Sequence, residues 1–371
     1  MKVMIIGVGA SGNKAVLTVI EKGVIKEEDT ILVNSTSRDI PDNYDGEVII
    51  ISPDNYGCGK EVKVAHQYAK DAIKEGKFQK DNLGEYESII LVTSTEGGTG
   101  SGATPVIAQY FASYMKMNTH IIAFTGFEDD VRGMANTLTF FSSLDKNLMI
   151  QTISNASFMN ECGKNKFRAE QKANEELVKR IRIITGMDFI KSEQNIDSMD
   201  IMKLSNTYGY MTAEKVTLRK PLVDQNDFNN YLKHLVMDTH SLKGNNPGSS
   251  RVGVILNISE SSEDAIDYTY QGLIESFGKP YEIFLQKQWD GKEEYMGIII
   301  SGMNMPIEEI EALHNRYKEE TERVNKSKDT FFDKVKGFSL NEDDGIFDMI
   351  KDVRNVAVPE SSIDDFLDNL G

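Results

Sequence analysis

Residues 88–111 read SIILVTSTEGGTGSGATPVIAQYF, and this stretch decides the fold. Its first six residues are mostly apolar and β-branched, the pattern of a strand buried on both faces. Its last nine suit a helix. Between them lies Thr95-Glu96-Gly97-Gly98-Thr99-Gly100-Ser101-Gly102, with four glycines in the six residues 97–102. That density argues against a helix or a packed strand. It suits a backbone wrapped around phosphates, with the Thr99 and Ser101 hydroxyls as extra donors. A glycine loop of purely structural purpose is the alternative.

Working outward, a second glycine loop follows the strand expected at 3–8. It runs Gly7-Val8-Gly9-Ala10-Ser11-Gly12-Asn13 and opens a helix. Glycine admits close approach of main-chain N–H groups to an anion, and a helix N-terminus adds positive character. Alone this is only a G-x-G-x-x-G pattern. A dinucleotide site would require an acid at the end of the second strand. That strand, TILVN at 30–34, ends in Asn34. The chain contains no G-x-x-x-x-G-K-[ST], which excludes a P-loop. Two glycine loops on adjacent strand ends point to one polyphosphate gripped from two sides.

The first half alternates strand-like runs (3–8, 30–34, 47–51, 88–93, 119–124, 147–153) with helical patterns (13–22, 60–75, 103–117, 132–144). Such alternation predicts a parallel sheet covered on both faces. Ligands on such sheets bind in loops at the carboxyl ends of strands. An amphipathic helix is expected at 166–184, with Ala173, Leu177, Val178, Ile181 and Ile184 on its apolar face. It serves as a spine between two domains or as an ordinary core helix. The second half offers strands at 251–259, 281–286 and 295–301 among helices at 223–240, 263–276 and 306–324. Residues 241–250 read as a loop. The expected division is 1–164, 165–190, 191–325 and a tail 326–371. From Phe338 onward the tail carries nine acids against Lys351 and Arg354. Ile363, Phe366, Leu367 and Leu370 would share one side of a short terminal helix. The tail is either a solvated end or a docking peptide.

Composition bounds the chemistry. The chain has 371 residues and a net charge of −17, which argues against a direct surface for bare nucleic acid. The two cysteines, Cys58 and Cys162, form no C-x-x-C pair, and the five histidines show no metal spacing. The opening MKVMIIGVGASG reads as a strand and glycine turn rather than a signal peptide. No apolar run reaches the ~20 residues of a membrane helix. A cytoplasmic location is the resulting expectation.

The residues now quoted resemble the tubulin/FtsZ superfamily. Gly97, Gly98, Thr99, Gly100, Ser101 and Gly102 match its GGTGSG-type loop. Gly9, Ala10, Ser11, Gly12 and Asn13 resemble its first nucleotide loop, and Asn34-Ser35-Thr36 its second. Gly57-Cys58-Gly59-Lys60-Glu61 resembles the third loop, particularly that of plasmid and phage TubZ-like tubulins. Phe127-Glu128 with Arg132 resembles the F-E-x-x-x-R ribose loop. Ser154-Asn155 resembles a guanine-side loop, and Ala173-Asn174 the asparagine that reads guanine. The sequence departs from the pattern at Glu96, where a small residue is usual, and at Glu170, where an aromatic is common. Phe167 can take over that contact.

The resemblance implies an α/β fold: a parallel-sheet GTP-binding domain, a long central helix, a smaller C-terminal α/β domain and an acidic tail. It implies GTP/GDP and Mg²⁺ as ligands, GTP hydrolysis and head-to-tail self-association. Asn195-Ile196-Asp197-Ser198-Met199-Asp200 reproduces the N-x-D-x-x-D of the loop that reaches the neighbouring subunit's nucleotide. Asn195, Asp197 and Asp200 are thereby the catalytic candidates. Carboxylates at this spacing can orient water for phosphoryl transfer. They are also ordinary helix-capping residues. A TubZ-like role in plasmid or phage DNA segregation is expected, through a basic adaptor protein bound by the tail. An FtsZ-like division-ring protein is the alternative. An NAD-dependent oxidoreductase is the alternative of another class.

Overall fold

A computed structural model describes residues 2–79, 83–237, 240–243, 251–268 and 280–336. Ten strands form one sheet in the order β3-β2-β1-β4-β5-β6-β7-β10-β8-β9 among the described residues. They are β1 Val3–Val8, β2 Thr30–Asn34, β3 Glu47–Ile50, β4 Ser88–Ser94, β5 Thr119–Thr125, β6 Met149–Ser154, β7 Gly209–Thr217, β8 Arg251–Asn257, β9 Glu282–Gln288 and β10 Tyr295–Met303. From β3 to β7 every pairing is parallel. β10 then runs antiparallel to both β7 and β8, and β9 lies parallel to β8.

Helices cover both faces. They are α1 Gly9–Glu21, α2 Val62–Lys74, α3 Gly98–Gln109, α4 Val131–Ser142, α5 Lys166–Ile184, α6 Ser198–Ser205, α7 Gln225–Met237, α8 Glu260–Glu263 and α9 Ile307–Lys336. The period-two geometry of a strand sorts its side chains between two cores. Met4, Ile6 and Val8 face one core together with Ile89, Leu91, Ile121 and Ala123. Residues of α2, α3, α4, α7 and α9 complete that layer: Ala69, Ile107, Leu138, Phe228 and Leu313. The alternate residues Ile5, Ile90, Val92, Ile122 and Phe124 face the other. There α1, α5 and α6 contribute Val16, Val19, Leu177, Ile181 and Leu204. Each fully buried aliphatic side chain contributes ~1.5–3 kcal/mol relative to exposure.

The parallel sheet, its helical cover and the central helix are those expected from the sequence. Four differences are informative. The glycine loop is not free of helix: α3 begins at Gly98, so Gly98–Gly102 form its opening turns. Helical glycine costs ~1 kcal/mol per residue relative to alanine, but here packing admits nothing larger. A Cβ on Gly100 would lie 2.5 Å from Thr93 Oγ1, and one on Gly102 2.2 Å from Val62 O. Strand β7 was not anticipated, because it buries Thr212 and Glu214 among its apolar residues and so breaks the pattern. The last helix runs to Lys336, past the expected tail boundary after Asn325, and carries Lys326, Lys328, Lys334 and Lys336. Of the helix expected at 263–276, Glu263 is the last residue of the short α8 and 264–268 are outside regular structure; 269–279 lie outside the described residues. The loop residues 244–250 and the acidic tail from Phe338 also lie outside them.

Candidate functional site

Strand order places the site. β1 lies between β2 and β4, and the chain crosses from one side of β1 to the other. Loops leaving β1 and β4 in opposite directions open a crevice beyond their carboxyl ends. A cleft of about 240 Å³ occupies this position. Gly9, Ala10 and Ser11 line it from α1, with Gly97, Gly98, Thr99 and Gly100 from α3. Asn34, Ser35, Thr36 and Asp39 line it after β2, and Gly57, Cys58, Gly59 and Lys60 after β3.

The walls touch one another through the backbone. Gly9 has φ +77°, and a Cβ there would sit 3.1 Å from Gly100 N. A Cβ on Gly98 would lie 2.6 Å from the Lys60 Cα and carbonyl carbon. Ser35 Oγ and Thr99 Oγ1 share a hydrogen bond of 2.7 Å, and Cys58 Sγ lies 3.2 Å from the same Thr99 oxygen. Gly57 N donates to Ser35 O at 3.1 Å. The Thr99 hydroxyl, expected as a phosphate donor, is thus engaged between two walls.

Helices α1 and α3 both begin at the cleft, and neither has a side chain capping its N-terminus. By contrast α4, α5 and α6 are capped by Asp130, Asn165 and Asp197. Uncapped first-turn amides in a cleft attract an anion, reinforced by the dipoles of two converging helices.

Several expected site residues support this cleft without lining it. Asn13 is fully buried, its Nδ2 donating to Val33 O at 3.2 Å. Gly12 packs against the β4 backbone, where a Cβ would meet Val92 O at 2.3 Å. Ser101 Oγ donates to Thr95 O at 2.6 Å and to Gly97 O, pinning the loop from within. Gly102 packs α3 against α2. Lys60 lines the cleft, but its ammonium pairs with Asp130 at 2.6 Å. That hydrogen bond holds the Asp130 carboxyl below its usual range.

Glu128 and Arg132 are turned elsewhere. Glu128 pairs with Arg316 on α9 and faces a second cavity of about 190 Å³. Arg132 pairs with Glu61 at 2.6 Å. Asn155 opens the turn after β6 with its Oδ1 buried and unpartnered, a free acceptor. Asn174 is half-buried on α5, which packs against that turn and against α1. Phe167 and Glu170 are exposed on the same helix.

Glu96 does not point into the cleft. Its carboxylate accepts Glu128 N–H at 3.0 Å and the Phe127 N–H. It lies where a Cβ on Gly126 would be 1.7 Å away. Burial pushes its carboxyl above the usual range, with the two N–H bonds opposing. A carboxylate facing a triphosphate would repel it, and this placement keeps Glu96 out of the cleft lining. The residue that sequence reasoning missed is Asn136 on α4. Its Nδ2 donates to Lys60 O at 3.2 Å and Glu96 O at 3.0 Å. One polar residue among several in an amphipathic helix carries no signal for such a role.

Asn195, Asp197 and Asp200 are not brought to the cleft. Asp197 and Asp200 form a reciprocal cap at the start of α6. Their segment joins β9 through a Gln194–Lys287 bridge and the Ile196 N–H donating to Gln286 Oε1 at 2.8 Å. Helix α6 packs on β8 and β10. From β1 to β8 is six strand positions, roughly 29 Å at ~4.8 Å per strand. Asn195 and Asp197 are exposed there and Asp200 is half-buried.

A cleft of main-chain amides at this switch point sits in a sheet and helical cover that make a tubulin-like fold. Residues 2–163 match the family model described as Tubulin/FtsZ family, GTPase domain. The chain is 25% identical over 214 residues to the tubulin-like protein TubZ of Clostridium botulinum C phage. That match covers 55% of this chain and 56% of the relative, so it spans about half the relative's length. The fold of this chain is similar to that of Bacillus thuringiensis serovar israelensis TubZ in its GTPγS-form protofilament, at TM-score 0.70 and 16% identity. That comparison covers 89% of this chain and 94% of the other. CetZ2 from Haloferax volcanii gives TM-score 0.68 at 17% identity, covering 88% and 100%. A GTPase domain of this family implies GTP or GDP. The cleft fits the phosphate end, because Gly98 and Gly100 in its wall leave no room for a Cβ and its two helix starts are uncapped. Among the described residues, no helix is long and apolar enough to cross a membrane.

Proposed function

We propose that the chain binds and hydrolyses GTP and assembles head-to-tail into a cytoskeletal filament. The observation that carries this is the separation of two half-sites. The glycine-walled cleft lies at β1 and β4, while Asn195, Asp197 and Asp200 stand on the surface near β8 and β9. In a head-to-tail pair, the acids of one subunit meet the cleft of the next. The cleft amides and helix starts hold the phosphates. Asp197 and Asp200 accept hydrogen bonds from the attacking water. Bound Mg²⁺ would neutralise phosphate charge, with Asp197 or Asp200 able to help hold it. Asn155 and Asn174 address the base, and Glu128 and Arg132 approach the ribose once their present ion pairs open.

The filament positions or segregates plasmid or phage DNA in the cytoplasm through a basic adaptor bound by the acidic tail. The resemblance of Gly57–Lys60 to TubZ-like tubulins and the nine tail acids support this over a division ring. Phosphate release measured across a dilution series tests the shared site. Specific activity should fall steeply below a threshold concentration, with filaments seen by electron microscopy above it. Constant specific activity on dilution would refute a site built from two subunits.

A further inference from the structure

Asn136 stands behind the cleft, 3% exposed, on a helix that contributes nothing to the cleft lining. Its single –NH₂ group donates to two main-chain carbonyls from different walls. One is Lys60 O, closing the turn that follows β3. The other is Glu96 O, directly before Gly97. Lys60 has φ +63°, a left-handed conformation that costs a non-glycine residue ~1–2 kcal/mol. Something must hold it there, and its backbone is pressed against Gly98. Glu96 continues the connection. Its buried carboxylate binds the N–H groups of Phe127 and Glu128, and Glu128 is itself left-handed at φ +56°. Gly126 and Gly133 leave the space the carboxylate fills.

We propose that Asn136 and Glu96 are positioning residues for the cleft, fixing the spacing between its two main-chain walls and bracing both against the 126–130 turn. The inference rests on the reading of the cleft as a GTP site, and it names residues outside the resemblance to nucleotide loops. Donor count gives the reason. Two carbonyl oxygens converge on one point, and a primary carboxamide supplies two protons there. Aspartate at position 136 would set oxygen against oxygen. At position 96, two N–H groups converge on the carboxylate. Glutamine would replace one of its two acceptor oxygens by an –NH₂ donor. A sub-ångström shift of either wall changes how many amides reach a phosphate, so binding of the phosphate end depends on this frame.

The test compares GTP with guanosine, which lacks phosphates, on the full chain. Asn136→Asp should raise the GTP dissociation constant at least tenfold and leave that of guanosine within twofold. Asn136→Ser and Glu96→Gln are milder and should show the same selectivity with smaller loss. Thermal midpoints without ligand report folding for each variant. Equal weakening of GTP and guanosine in the folded variants, or no weakening of either, would overturn the inference. A parental chain that binds no GTP would remove the GTP reading and this inference together. Parental binding with unselective variants would remove only the inference.

Discussion

Asp197 and Asp200 cap one another: Asp200 N–H donates to Asp197 Oδ1 at 2.9 Å, and Asp197 N–H donates to Asp200 Oδ2 at 3.3 Å. The pair thus has a structural task at the start of α6 besides the proposed chemical one. Asp200→Asn separates the two. The amide oxygen keeps an acceptor for the cap, while the charge is lost. Unfolding stability should change by less than ~0.5 kcal/mol. GTP turnover should fall by an order of magnitude or more with GTP affinity unchanged. Parental turnover in this variant would leave Asp200 as a cap alone.

The glycines of α3 differ from Gly84, in the turn before β4, in what a methyl group would meet. Gly98→Ala drives a Cβ to 2.6 Å from the Lys60 backbone, and Gly100→Ala to 2.6 Å from Ser94 O. Each should cost ~1–3 kcal/mol of stability and abolish detectable GTP binding. Gly84→Ala meets nothing within 4 Å and should stay within ~0.5 kcal/mol of the parent. Chemical denaturation and nucleotide titration check all three. Tight GTP binding by Gly98→Ala would mean that this close approach is not needed.

A buried charge cluster predicts a pH dependence. Arg180 is fully buried and donates to Glu214 Oε1 at 2.5 Å, Glu176 Oε1 at 3.3 Å and Thr152 O at 2.7 Å. Two carboxyls therefore face one guanidinium. Burial pushes Glu214 up to about 8, with Arg180 opposing and Glu176 adding to the rise. Burial also disfavours charge on Glu176, but Arg180 and Lys179 hold it below its usual range. A carboxyl raised above its unfolded value of ~4.3 stabilises the fold below that value. The contribution is lost as pH rises through about 8. Glu214→Gln has no proton to lose. Its stability relative to the parent should therefore rise by ~1 kcal/mol or more between pH 5.5 and 8.5. Urea unfolding at both pH values measures it, and parallel profiles would show Glu214 charged throughout.

Removal of residues 338–371 deletes all nine tail acids. The thermal midpoint should stay within a few degrees. Assembly with GTP, or binding to a basic partner, should weaken. Sedimentation with and without the partner reads both. Unchanged assembly and unchanged partner binding together would eliminate the tail's proposed role.

Much of the N-terminal sheet was legible because its signals are local. Strands β1, β2, β4 and β5 are apolar runs ended by turn residues, and α5 matches its expected bounds at both ends. The glycine loops were legible for the same reason. What failed did so where tertiary contacts overrode local preference. Helix α3 starts among glycines because the neighbouring backbone occupies the space a side chain would need. Strand β7 escaped notice because Glu214 is buried against Arg180, whose own position lies 34 residues earlier.

The chain's sequence by itself determined the alternation of strands and helices, the two glycine-rich turns and the acids at 197 and 200. Those follow from spacing and residue type along a few neighbouring positions. Only the tertiary structure decided which groups face the cleft. Ser35 meets Thr99 across 64 residues, Lys60 meets Asp130 across 70, and Asn136 reaches Lys60 across 76. Hydrogen-bond geometry at such separations is set by how strands stack in the sheet, and no local pattern encodes it.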